Sequence, residues 1–188
     1  MEQPFLHGGV NRHELTASEI VEDMRNLFAK HAWQDREVAL SILDGLGTKQ
    51  SSINWALKTP KEVSHLYSHY YPQDTCQKIQ QLLTAHIQIA GDVITQIKAR
   101  NTEKIQMYTE KWYRNADDFG RFMGSINPYT PGEEGSRLMQ DHVRLTYMMV
   151  TQMAHGDFDQ GITTFERALE ESDDLADFLS SGLIKQLI

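Results

Sequence analysis

Leu27-Phe28-Ala29-Lys30-His31, Leu82-Leu83-Thr84-Ala85-His86 and Leu138-Met139-Gln140-Asp141-His142 share one pattern, Leu-x-x-x-His, with the histidines 55 and 56 residues apart. The register holds downstream. Val38, Val93 and Met149 each lie seven residues past the histidine, and Ile42, Ile97 and Met153 each eleven past. These offsets keep one face of an α-helix. Gly45, Arg100 and Gly156 then mark aligned turns, and Glu62, Asp117 and Asp173 stand thirty-one residues past the histidines. Pro72 and Pro128 each precede the next histidine by fourteen residues. Self-similarity at a fixed period marks a supersecondary unit that buries its apolar face against copies of itself. The expected organisation is a leader over 1–15 and one domain over 16–188, made of three helical hairpins at about 16–72, 73–128 and 129–188.

Outward from the repeat, helix signals cover nearly the whole chain. Thr16-Ala17-Ser18-Glu19 reads as a capping box, Pro60 as the first residue of a helix, and Asp74 with Gln77 as a second capping box. Asn101, Thr130-Pro131 and Asp157 or Asp159 open the later helices, and Ser181-Gly182 ends the last. A short helical piece is expected around Ile53–Leu57. No stretch alternates β-branched and polar residues long enough for a strand. The fold class expected is all-α, a compact bundle of six main helices.

Composition narrows the function classes. The chain has 188 residues with 18 Lys+Arg against 26 Asp+Glu, a net charge of −8, and 40% hydrophobic residues. No basic stretch interleaves with aromatics, so a nucleic-acid groove is excluded. No run is long and apolar enough for a membrane span. One cysteine, Cys76, makes no internal disulfide, which fits a reducing, cytoplasmic setting. Gly45-Leu46-Gly47 lacks the lysine and preceding strand of a phosphate loop. No complete catalytic motif is present.

Three histidines on three apolar stripes are the leading chemistry. Leu82, His86, Ile89, Val93 and Ile97 form one stripe, and Leu138, His142, Leu145, Met149 and Met153 another. Leu27, His31, Val38 and Ile42 form the third, with Asp35 one turn past its histidine. Equivalent positions in a closed bundle would gather the rings. With Glu62, Asp117 or Asp118, and Asp173 or Asp174 on the facing helices, they make a nitrogen–oxygen site for zinc, iron or manganese. One acid of each Asp doublet is expected to face inward. The alternative is that each histidine bonds its own hairpin's carboxylate as a buried structural pair. Arg144 is expected to bind an anion or meet an acid. Glu62-x-x-His65 lacks the second motif that a di-iron bundle needs. Trp33, Trp55 and Trp112 are expected between hairpins. Cys76, in a first helical turn, is expected to have a lowered thiol pKa.

Leu138–Thr146, with Trp112-Tyr113-Arg114-Asn115-Ala116-Asp117-Asp118 and Asn127-Pro128, resembles a family of bacterial all-helical proteins, some of which carry the name acetylglutamate kinase. The likeness spans about residues 20–188. Matching its recurrent motif are His86, His142, Asn115, Asp117 and Asp118, and the resemblance assigns them no role; Asn115 and Arg144 are the candidate ligand-binding positions. True amino-acid kinases are larger α/β sandwiches with Gly-rich phosphate loops, so the resemblance implies no kinase chemistry. A looser similarity is to DinB-type bundles, which collect three histidines around a metal. The last two of those histidines are four apart, whereas the residue four beyond His142 is Thr146. Two functions follow as expectations. One is a helical protein binding a divalent metal or small polar ligand through an interior His/Asp/Glu layer. The other is a non-catalytic interaction or regulatory module, meeting a protein partner or a second copy of itself through its acidic faces. Between Asp157 and Asp177 the chain carries eight acids and one Arg.

Overall fold

Thr16 opens the first helix as its sequence predicts: the Glu19 amide donates to Thr16 Oγ1 at 3.3 Å and the Thr16 amide donates to Glu19 Oε2 at 2.8 Å. The computed structural model describes residues 15–187. Of the predicted leader, 1–14, including Gly8-Gly9 and His13, lie outside the described residues. Leu15 packs partly against the core. The described residues form seven helices: α1 (Ala17–Leu43), α2 (Lys49–Ala56), α3 (Thr59–Tyr67), α4 (Gln73–Ala99), α5 (Thr102–Ile126), α6 (Gly132–His155) and α7 (Phe158–Leu187). No strand occurs among them. Nor is any of these helices long and apolar enough to cross a membrane.

Five long helices and the α2–α3 pair make a closed bundle. α1 packs on α2 and α3, α3 on α4, α4 on α5, α5 on α6, α6 on α7, and α7 returns onto α1. Inside this ring α1, α4 and α6 touch one another. Those are the three helices that carry the Leu-x-x-x-His motifs. The apolar stripes predicted for them are buried, with Val38, Ile42, Val93, Ile97, Met149 and Met153 all in the core. Full burial of each such side chain is worth about 1.5–3 kcal/mol.

The aligned turn positions share one backbone conformation. Gly45 (φ 70°), Arg100 (φ 54°) and Gly156 (φ 85°) are the positive-φ residues of the described chain. Each sits at or just past a helix C-cap, where a left-handed residue lets the last carbonyls find donors. Arg100 does this as a non-glycine, at a steric cost.

Several local expectations are corrected. α4 begins at Gln73 behind Pro72 with no side-chain cap, and Asp74 accepts from the Thr75 amide at 2.7 Å instead of forming a capping box. α7 runs past Gly182 to Leu187. That glycine is a contact point: a Cβ there would stand 2.2 Å from Thr130 Cγ2. Trp33 and Trp55 are 50% and 37% exposed, so of the three tryptophans only Trp112 is buried. Trp33 packs edge-on against Phe165, with centroids 4.7 Å apart. Cys76 is buried, and burial, reinforced by the Asp74 charge, raises its thiol pKa where the helix position had suggested lowering.

Candidate metal centre

α1, α4 and α6 each deliver one imidazole to the middle of the bundle. Ring centroids lie 5.2 Å apart for His31 and His142, 5.5 Å for His86 and His142, and 6.1 Å for His31 and His86. Each ring offers a nitrogen, and these nitrogens all lie within 4.8 Å of one another. Burial is nearly complete, with 8%, 1% and 3% exposure for His31, His86 and His142.

Each ring has two nitrogens in different surroundings. Asn115 donates from Nδ2 to the Leu82 carbonyl at 3.1 Å, which leaves its Oδ1 to accept from His86 Nδ1 at 2.9 Å. The network therefore assigns the ring proton of neutral His86 to Nδ1. Its Nε2 accepts from Trp112 Nε1–H at 3.0 Å. His142 Nδ1 lies 3.4 Å from Glu171 Oε2, and His142 Nε2 lies 3.3 Å from Asp35 Oδ2. His31 Nε2 lies 3.5 Å from the same Asp35 oxygen. Asp35 is thus the carboxylate shared between two Nε2 atoms, while Asn115 and Glu171 stand behind their histidines at Nδ1.

These carboxylate contacts, at 3.3–3.5 Å, have the range of ion pairs and are longer than ordinary N–H···O hydrogen bonds. His31 Nδ1, Asp35 Oδ2, His142 Nε2 and both Glu171 carboxylate oxygens are buried with no hydrogen-bond partner among the described residues. So many buried polar atoms held by charge contacts alone, with no hydrogen bond, leave a place for a ligand, an ion or water. Beside His31 lies a small cavity between Phe28, Thr59, Pro60, Val63, Leu83 and Ile87.

Electrostatics separate the three rings. Desolvation, helped by the neighbouring imidazoles, lowers His86 to about 3. Desolvation also lowers His31, against the opposing pull of Asp35. For His142 burial again works downward, but Asp35 and Glu171 outweigh it and raise the ring to about 10. Asp35 moves below its ordinary value because the histidines overcome its own burial penalty. One of three adjacent rings is therefore cationic at neutral pH, with carboxylates on both sides.

Compared with protein-family models, with curated proteins and with solved structures, the chain matches none. What the centre can do rests on its own geometry. The structure brings together His31, His86, His142 and, from the predicted ligand-binding positions, Asn115.

The other predicted residues stand elsewhere. Glu62 pairs with Lys30. Asp117 pairs with Arg121 at 2.9 Å. Asp173 and Asp174 are both exposed, and of the Asp117–Asp118 doublet neither is buried. Arg144 lies on the surface, bonded to Asp141 at 3.0 Å. The physical reason is helical phase. Asn115 and Glu171 each lie twenty-nine residues past their histidines, whereas Asp117 and Asp173 lie thirty-one past. Two residues on a helix turn the side chain by about 200°, to the opposite face. Glu171, absent from the predicted set, was marked by its place between Ala168 and Leu175 on the apolar stripe of α7. At the corresponding position of the first unit stands Pro60, which has no polar side chain and lines the cavity beside His31.

Proposed function

We propose that the protein binds a divalent metal ion in the interior of the bundle, through Nε2 of His31, His86 and His142 with the Asp35 carboxylate as the fourth donor. The observation that carries this reading is the convergence of three imidazoles from three helices on one spot ringed by buried polar atoms with no hydrogen bond. The arrangement around the rings supports it. Metal-binding histidines hold their second nitrogen against an amide, carboxylate or water. Asn115 and Glu171 take that role at Nδ1 of His86 and His142. Three imidazoles with one carboxylate and no thiolate favour zinc or ferrous iron over manganese. The candidate donor nitrogens all lie within 4.8 Å of one another, near enough to share one ion. Enclosure within the core fits a bound ion with at most a water-sized companion.

Elemental analysis of protein purified without an affinity tag tests this. The expected result is near-stoichiometric zinc or iron in the wild type and in Glu62→Gln and Asp173→Asn. It should be lost in His142→Ala and in Asp35→Asn. A chelator should lower the melting temperature of wild type only, because an ion held by the native state alone adds stability. One observation favours a second reading, a metal-free charge network in the core of an interaction module. Both nitrogens of His86 already have partners. Protein with no metal and no response to chelator would refute the first reading and leave the second.

A further inference from the structure

The indole of Trp112 occupies the one nitrogen that His86 would give to a metal. We infer that Trp112 is a competing donor: its N–H holds His86 Nε2 in the metal-free protein, and loading exchanges that hydrogen bond for a coordinate bond. This rests on the metal reading above and adds a residue that sets the affinity of the site.

The tautomer makes the competition unavoidable. Asn115 is turned by its bond to the Leu82 carbonyl so that its oxygen meets His86 Nδ1. The ring proton therefore sits on Nδ1, and the only lone pair of His86 points from Nε2 at Trp112 Nε1–H, 3.0 Å away. A lone pair serves a proton donor or a cation, not both. Trp112 has 0% exposure, so an indole N–H released from His86 loses its partner in a desolvated place. Leaving a buried donor unpaired is costly, and that cost is subtracted from the binding of every ion that recruits His86. His31 and His142 meet no such donor at Nε2; theirs face the Asp35 carboxylate, which a cation would attract. The three ligands are thus unequal: His31 meets only the carboxylate, His142 gives up a proton, and His86 gives up a hydrogen bond to a buried donor. Asn115 positions His86 for either partner. Trp112 is a positioning residue that acts through His86 without touching the ion.

The test uses the full-length protein and Zn²⁺. Trp112→Phe keeps an aromatic ring and removes the N–H. It should bind Zn²⁺ about tenfold tighter than wild type in competition with a chromophoric chelator, reflecting the penalty for an unpaired buried donor. In wild type, long-range ¹H–¹⁵N spectra should show His86 protonated at Nδ1 before loading. On addition of Zn²⁺ the Trp112 indole proton should move upfield and exchange faster with solvent. A packing role alone would not move that resonance. Zn²⁺ binding to wild type with an unmoved indole resonance, or with equal affinity in Trp112→Phe, would overturn the inference and leave the metal reading intact. Absence of Zn²⁺ binding in both proteins would overturn both.

Discussion

Metal-free protein should be most stable near neutral pH and lose stability in both directions, for different reasons on each side. On the alkaline side His142 decides. Its folded pKa stands at about 10, against 6.5 for the ring in the unfolded chain. Between those values the native state holds a proton that the unfolded state has given up. Stability contributed by that proton is complete below about pH 6.5 and falls as pH rises, with a slope of about 1.4 kcal/mol per pH unit. From pH 7 to 8.5 the loss is about 2 kcal/mol. On the acid side His86 decides, with a folded pKa of about 3. Below pH 6.5 the unfolded chain takes up a proton that the buried ring refuses, so stability falls as pH falls. His86 alone accounts for about 2 kcal/mol between pH 6.5 and 5, and His31, lowered by desolvation, adds loss in the same direction. Against a typical total of about 5–15 kcal/mol these are large changes. The assay is a set of urea melts in EDTA at half-unit steps from pH 5 to 8.5. That range stops above the carboxylate titrations, and before the Cys76 thiol, raised by its burial, dominates. A profile flat between pH 7 and 8.5 would refute the cationic His142 and with it the electrostatic account of the centre.

Zinc loading at pH 7.5 in weak buffer should release about one proton per ion, because His142 alone among the three rings is held protonated and a ligand nitrogen must be free. Indicator dye or pH-stat titration measures this, and no proton release would count against His142 as a ligand. At the left-handed turn positions, Arg100→Gly should stabilise by up to about 1 kcal/mol and Gly156→Ala should cost about 1 kcal/mol, read as shifts in urea midpoint. Gly120→Ala should cost at least about 3 kcal/mol. Its Cβ would stand 2.1 Å from the Ser136 backbone nitrogen, so α5 and α6 would have to part. A thermal melt within a degree of wild type would show that the two helices are not so closely set.

Much of the architecture was legible before any coordinates. Hydrophobic spacing and capping residues act within a few positions of one another, so the runs beginning at Thr16 and Asn101 declare their own helices. The repeated Leu-x-x-x-His, with Gly45, Arg100 and Gly156 fourteen residues on, marked both the central histidines and the three left-handed turns. Those are consequences of local backbone geometry and of a single buried stripe per helix. Closure of the bundle was a matter for tertiary contact, since nothing within α7 says that it returns onto α1. The acids were decided there too. Asp117 and Asp173 align with the histidines in sequence, yet helical phase turns them to solvent and brings Asn115 and Glu171 inward. Trp112 reads as an ordinary core aromatic until the fold sets its indole N–H against the lone pair of His86, twenty-six residues away on another helix. A side chain's helical stripe is written in its neighbours; which atom it meets across the core depends on how the helices are phased against each other, and only the assembled bundle sets that.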